Sequence, residues 1–150
     1  MRIYLDTCSL ERPLDARTHS RIHLEAEAVL DVVALCEAGQ IQLASSEVLE
    51  FEIERISNSL RRANAYEILS KATLYADVTE AVVERAREFR EAGIQPLDAL
   101  HLAAAVELEA DYFCTCDDKF LRRAKALDLP KTKVVTPLEL IVELDLWLFP

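Results

Sequence analysis

Pro96-Leu97-Asp98-Ala99-Leu100-His101-Leu102-Ala103-Ala104-Ala105 is an almost wholly apolar helical stretch, and Tyr112-Phe113-Cys114-Thr115 follows it as a short apolar strand. Pro96 suits the first turn of that helix, which the apolar pattern extends over 97–108. Asp117 then opens another helix. A buried helix that leads straight into a buried strand and on to a helix is the mark of an alternating α/β chain.

The same alternation runs outward in both directions. Arg2-Ile3-Tyr4-Leu5-Asp6 reads as a first strand ending in an acid, bounded by Thr7-Cys8-Ser9 and a loop with Pro13. From Ser20, Ile22, Ala26, Val29, Val33 and Cys36 recur at helical steps, with Gly39 as the C-terminal stop. A second strand covers 41–44. Ser45 or Ser46 caps the next helix, where Val48, Phe51 and Ile56 are expected to face inward. A helix over 60–72, a strand over 74–78 and a helix from Thr79 to Gly93 lead back to Pro96. A fifth strand over 133–136 and a last helix from Pro137 close the chain, which reads as a single domain over 1–150.

Strands joined by helices in this way form a parallel sheet, and right-handed crossovers start each following helix above the carboxyl edge. Ligands bind at that edge, near a switch in strand order. Asp6 ends the first strand, Glu50 lies in the first turns after the second, and Asp117 directly follows the fourth. Asp98 opens the antiparallel helix that precedes the fourth strand. Four carboxylates at one edge repel one another, and a divalent cation is the usual remedy. An all-oxygen donor set suits magnesium or manganese, and phosphodiester hydrolysis is the chemistry that best uses it. Simpler roles compete at each position: Asp6 as a turn cap, Asp98 as a dipole partner, Asp117 or Asp118 as a helix cap. His101, one turn beyond Asp98, reads more simply as a hydrogen-bonded core histidine than as a ligand.

Of the 150 residues 51% are apolar, and the net charge is −10. That charge argues against unspecific nucleic-acid binding, which needs basic surface, but not against an enzyme whose acids gather at a metal. No apolar run reaches bilayer length, so a cytoplasmic location without a membrane partner is expected. Cys8, Cys36, Cys114 and Cys116 lack zinc-finger spacing and read as free thiols.

Three stretches resemble the PIN-domain ribonucleases, a group that includes the VapC-like toxins of toxin–antitoxin pairs. They are Ile3-Tyr4-Leu5-Asp6-Thr7-Cys8-Ser9, Pro96-Leu97-Asp98-Ala99-Leu100-His101-Leu102-Ala103 and Asp111-Tyr112-Phe113-Cys114-Thr115-Cys116-Asp117-Asp118-Lys119-Phe120. The resemblance implies a three-layer α/β/α sandwich with a central parallel sheet of about five strands. It implies a Mg2+- or Mn2+-dependent endoribonuclease, with Asp6, Asp98 and Asp117 holding the metal and Thr115 orienting Asp117 or a water. Glu50 matches the family's second acid best, while Glu47, Glu52 and Glu54 stay open for that role, as does Asp118 beside Asp117.

Lys119, Arg122 and Arg123, together with Arg12 and Arg17, are the candidates for RNA phosphates. The implied partners are an RNA substrate, a cognate antitoxin and a second copy of the chain. The apolar tail around Trp147 would be an interface or part of the core. A non-catalytic PIN-like module that binds RNA or protein is the reading from another class.

Overall fold

A computed structural model describes all of residues 1–150. Five short strands, β1 (Arg2–Leu5), β2 (Gln42–Ser46), β3 (Leu74–Ala76), β4 (Tyr112–Cys114) and β5 (Lys133–Val135), form one wholly parallel sheet in the order β3-β2-β1-β4-β5. The helices are α1 (Thr7–Glu11), α2 (Ser20–Glu37), α3 (Glu47–Glu54), α4 (Ser59–Leu69), α5 (Glu80–Glu91), α6 (Pro96–Glu107), α7 (Asp118–Lys125) and α8 (Pro137–Leu148). A 3-10 turn over Arg12–Leu14 follows α1. α6, packed on α5, lies over β2 and β3, whereas α8, packed on α2, lies over β4 and β5. The result is the expected α/β/α sandwich. None of the helices is long and apolar enough to cross a membrane.

Burial explains why the strand runs read so clearly. Ile3, Tyr4, Leu5, Leu43 and Phe113 are sealed from solvent between the helix layers. A parallel sheet covered on both faces needs continuous apolar strands of this kind. Tyr4 stacks on Phe113 at 5.1 Å between ring centroids, and Phe120 of α7 meets Phe113 edge-on at 5.4 Å. This aromatic run ties the two central strands to the helix that carries the basic residues of the carboxyl edge.

Caps fix the element boundaries. Ser46, Asn58, Thr79 and Asp117 each accept a backbone N–H in the first turn of their helix, and Thr136 with Glu139 completes a reciprocal capping box on α8. Gly39 ends α2 with φ +74°, a left-handed conformation that costs a side chain strain.

Several boundaries differ from the sequence expectation. The Thr7–Glu11 segment, read as turn and loop, is helical because the Asp6 side chain caps it by accepting from Ser9 N–H. β3 stops at Ala76, which leaves Asp77 outside the sheet, and β2 runs on to Ser46. At the C-terminus, Leu144 is fully buried, but Leu146, Trp147 and Phe149 are exposed, so the tail only partly closes the core.

Candidate active site

The strand order reverses between β1 and β4: the chain builds outward from β1 through β2 to β3, then returns to β1's other side. A crevice opens at the carboxyl ends of two such strands. Asp6 follows β1 there, its backbone N–H reaching Cys114 O on β4 at 3.1 Å. Thr115 and Asp117 follow β4.

Asp6 is buried, and Oδ1 accepts from Ser9 N–H and the Cys8 thiol, each at 3.0 Å. Burial raises its pKa against those bonds and one from Thr115. The Thr115 hydroxyl, itself sealed, also accepts the Asp117 N–H at 3.1 Å. It thereby sits between the two acids. Asp117 Oδ1 accepts from Lys119 and Phe120 N–H at 3.0 and 3.1 Å, capping α7.

Asp98 is half-buried at the start of α6, and burial raises its pKa to about 6. The charges of Asp6, Asp117 and Glu52 push the same way, opposed by His101. Asp98 and Asp117 line a cavity of about 30 Å³ with Lys119 and Arg123. That space has room for a water or a small cation.

Glu52, not Glu50, is the α3 acid that faces this group. Its Oε1 accepts from Thr7 Oγ1 at 2.7 Å and meets His101 Nε2 at 2.5 Å. Burial works to raise the Glu52 pKa, but the bonds from His101 and Thr7 outweigh it and hold the carboxyl below its ordinary value. His101 is buried, and its Nδ1 lies 2.7 Å from Tyr4 Oη, which lies 2.7 Å from Ser46 Oγ.

One assignment of protons satisfies the whole chain. Leu49 N–H donates to Ser46 Oγ, Ser46 to Tyr4, Tyr4 to His101 Nδ1, and His101 Nε2–H to Glu52. Tyr4→Phe removes the middle of this buried relay and is expected to cost about 1–3 kcal/mol of unfolding free energy in urea titrations. A loss within a few tenths of that of a conservative surface substitution would show that the relay is not needed to hold the core.

Glu50 instead accepts a hydrogen bond from the Tyr75 hydroxyl at 2.9 Å, in an open groove with Glu47, Phe51, Glu54, Arg55 and Tyr66. The reason is helical phase: Val48, Leu49 and Ile53 are buried, and position 52 falls between them on the wheel while 50 falls opposite. The expectation that Phe51 faces inward is overturned for the same reason, since Phe51 is exposed with Arg55 4.1 Å above its ring. Glu54 bonds Tyr66, and Glu47 accepts Val78 N–H.

Asp118 is likewise turned away, held by Arg21 in a two-pronged bond of 2.6 and 2.7 Å. Among the basic candidates, Lys119 and Arg123 line the cavity, Arg123 also donating to Gly93 O, and Arg122 is exposed on the same helix. Arg12 pairs with Asp15 and buried Glu25, and Arg17 with Glu27. The structure does not bring these two to the cavity.

The oxygen-only donor set and the mutual repulsion registered at Asp98 fit a hard divalent cation in charge and chemistry. The acids are not drawn into a ready coordination shell, for no three His, Cys, Asp or Glu side chains stand close enough together to hold an ion. Binding would therefore require them to move inward.

A profile of the PIN domain family matches residues 3–126. No curated protein sequence matches. Among solved structures, a chain from VapBC2 of Rickettsia felis bound to a DNA fragment from their promoter superposes with a TM-score of 0.58 at 14% identity, over 91% of this chain and 98% of that one. A chain from FitAB bound to an IR36 DNA fragment superposes with a TM-score of 0.54 at 19% identity, over 90% and 94%.

Proposed function

Because this chain belongs to the PIN domain family, we propose that it is a Mg2+- or Mn2+-dependent endoribonuclease, the toxin half of a toxin–antitoxin pair. The observation that carries this reading is the gathering of Asp6, Asp98 and Asp117 at the carboxyl edge where the strand order reverses. Several carboxylates gathered at the switch point of a parallel sheet favour a cation among them. VapBC2 and FitAB, which share the fold, lend support to an antitoxin partner. A second copy of the chain is the other expected partner.

Asp6, Asp98, Asp117 and Glu52 would hold the metal directly or through water. The chemistry such a cation supplies is acidification of an attacking water and neutralisation of charge on the leaving oxygen. Thr115 keeps Asp6 and Asp117 in register through its hydroxyl. The Tyr4–His101 relay sets the direction of Glu52. Lys119, Arg122 and Arg123, rising on α7 beside Asp117, would take the phosphates of single-stranded RNA.

Adding Mn2+ to metal-free protein tests the reading. At a concentration 100 times the dissociation constant the fold should gain about 2.7 kcal/mol, and single-stranded RNA should be cleaved only with metal present. Stable RNA binding with neither metal-induced stabilisation nor cleavage would instead establish a non-catalytic module.

A further inference from the structure

Asp6 is bonded by a thiol that the proposed reaction does not use. Cys8, half-buried in the first turn of α1, donates to Asp6 Oδ1 at 3.0 Å and lies 3.6 Å from Thr115 Oγ1. The Cys116 N–H donates to the same sulfur at 3.4 Å, and the Cys116 sulfur lies 3.8 Å from the Oγ of Ser9, the residue next to Cys8. They are 108 residues apart in sequence but meet because β1 and β4 are hydrogen-bonded neighbours, Leu5 opposite Cys114.

We propose that Cys8 and Cys116 are an oxidisable pair that forms a reversible disulfide with a hydroperoxide, and that this bond disables the Asp6 site. The pairing follows from the positions of the two thiols; its effect on Asp6 rests on the proposed nuclease function.

The other thiols are excluded by position. Cys114 is fully sealed and faces Ser9 Oγ at 3.8 Å, and Cys36 is buried at the end of α2. Cys8 is the one cysteine that solvent reaches appreciably, and Cys116 stands behind it as its partner.

The atoms balance in two steps. One sulfur of the pair takes the terminal oxygen of the hydroperoxide as the O–O bond breaks, giving a sulfenic acid and releasing an alcohol, or water from hydrogen peroxide. The other sulfur then displaces that oxygen; its proton leaves with it as water, and the S–S bond forms. The two thiols lose two electrons and two protons to the peroxide. Reduction by a dithiol reverses the change.

The disulfide draws the Cys8 sulfur away from Asp6 and removes its thiol donor. It also fastens the turn that carries Asp6 to the one that carries Asp117, limiting the inward movement that a cation requires. Losing such outer support around a ligand lowers metal affinity or activity about 10–100-fold.

The test treats full-length protein with hydrogen peroxide and digests it without reduction. A Cys8–Cys116 linked peptide is expected, lighter than its reduced parts by two hydrogens. The melting temperature should rise by about 5–15 °C because the bond closes a long loop, and dithiothreitol should restore it. RNA cleavage should fall by the factor given above and recover on reduction, and Cys116→Ala should lose this sensitivity. A linkage through Cys36 or Cys114, a bond between molecules, or no linkage at all would overturn the pairing. If reduced protein never cleaves RNA while the linked peptide forms, the nuclease reading fails and the thiol pair stands. If the peptide forms and cleavage is unchanged, the proposed effect on Asp6 is refuted.

Discussion

Asp98→Asn is expected to lower metal-dependent RNA cleavage by about 10³-fold, the several kcal/mol that charge stabilisation by a bound cation contributes. The same variant should lose the Mn2+-induced rise in melting temperature. In metal-free buffer with a chelator the sign reverses, and the variant should be the more stable protein above pH 6. The Asp98 carboxyl has its pKa raised from 3.8 to about 6, so the folded state binds its proton more tightly than the unfolded chain does. Its charge therefore costs stability that is lost as pH climbs from about 4 to 6 and stays lost above. The group is partly open to solvent, and after allowance for screening the gain from Asn is about 1 kcal/mol, or about 3 °C. Below pH 4 the two proteins should melt together. Melting curves across pH 3.5–8, with and without Mn2+, check both halves; a variant that is less stable in chelator at pH 7.5 would refute the crowding of charge.

Glu52→Gln and Glu50→Gln form the second decisive comparison. Gln at 52 keeps an oxygen for Thr7 and His101 but removes the charge, so the fold should survive while cleavage falls about 10²-fold. Gln at 50 changes a residue bonded to Tyr75 in a separate groove, and cleavage should stay within about twofold of the parent, as for surface changes generally. Initial rates at saturating Mn2+ separate the two. The reverse order would mean that α3 presents its other face to the substrate.

That comparison also marks the limit of what the sequence disclosed. Asp6, Asp98 and Asp117 were readable because each stands at the end of a strongly apolar element, where periodicity and caps fix the position. The sheet was readable because its strands are buried on both faces. The inward turn of Glu52 is hidden because the apolar Phe51 beside it competes for the buried face, although Val48, Leu49 and Ile53 define the buried stripe and bracket position 52. The Tyr4–Ser46–His101 relay joins residues 42 and 97 positions apart, and no local pattern announces it. Arg12 and Arg17 looked free in the sequence because their partners, Glu25 and Glu27, belong to the following helix. α1 went unrecognised because a five-residue helix has too few turns to show a period.

The order β3-β2-β1-β4-β5 has a consequence for synthesis. A ribosome makes β1 before the other strands, but its neighbour β4 and the acid that follows it come only after β2, β3 and the helices between them. Until then Asp6 has no Thr115 beside it and no Asp117 across from it. The edge that gathers these acids is thus absent from the nascent chain until β4 and the turn after it have been added.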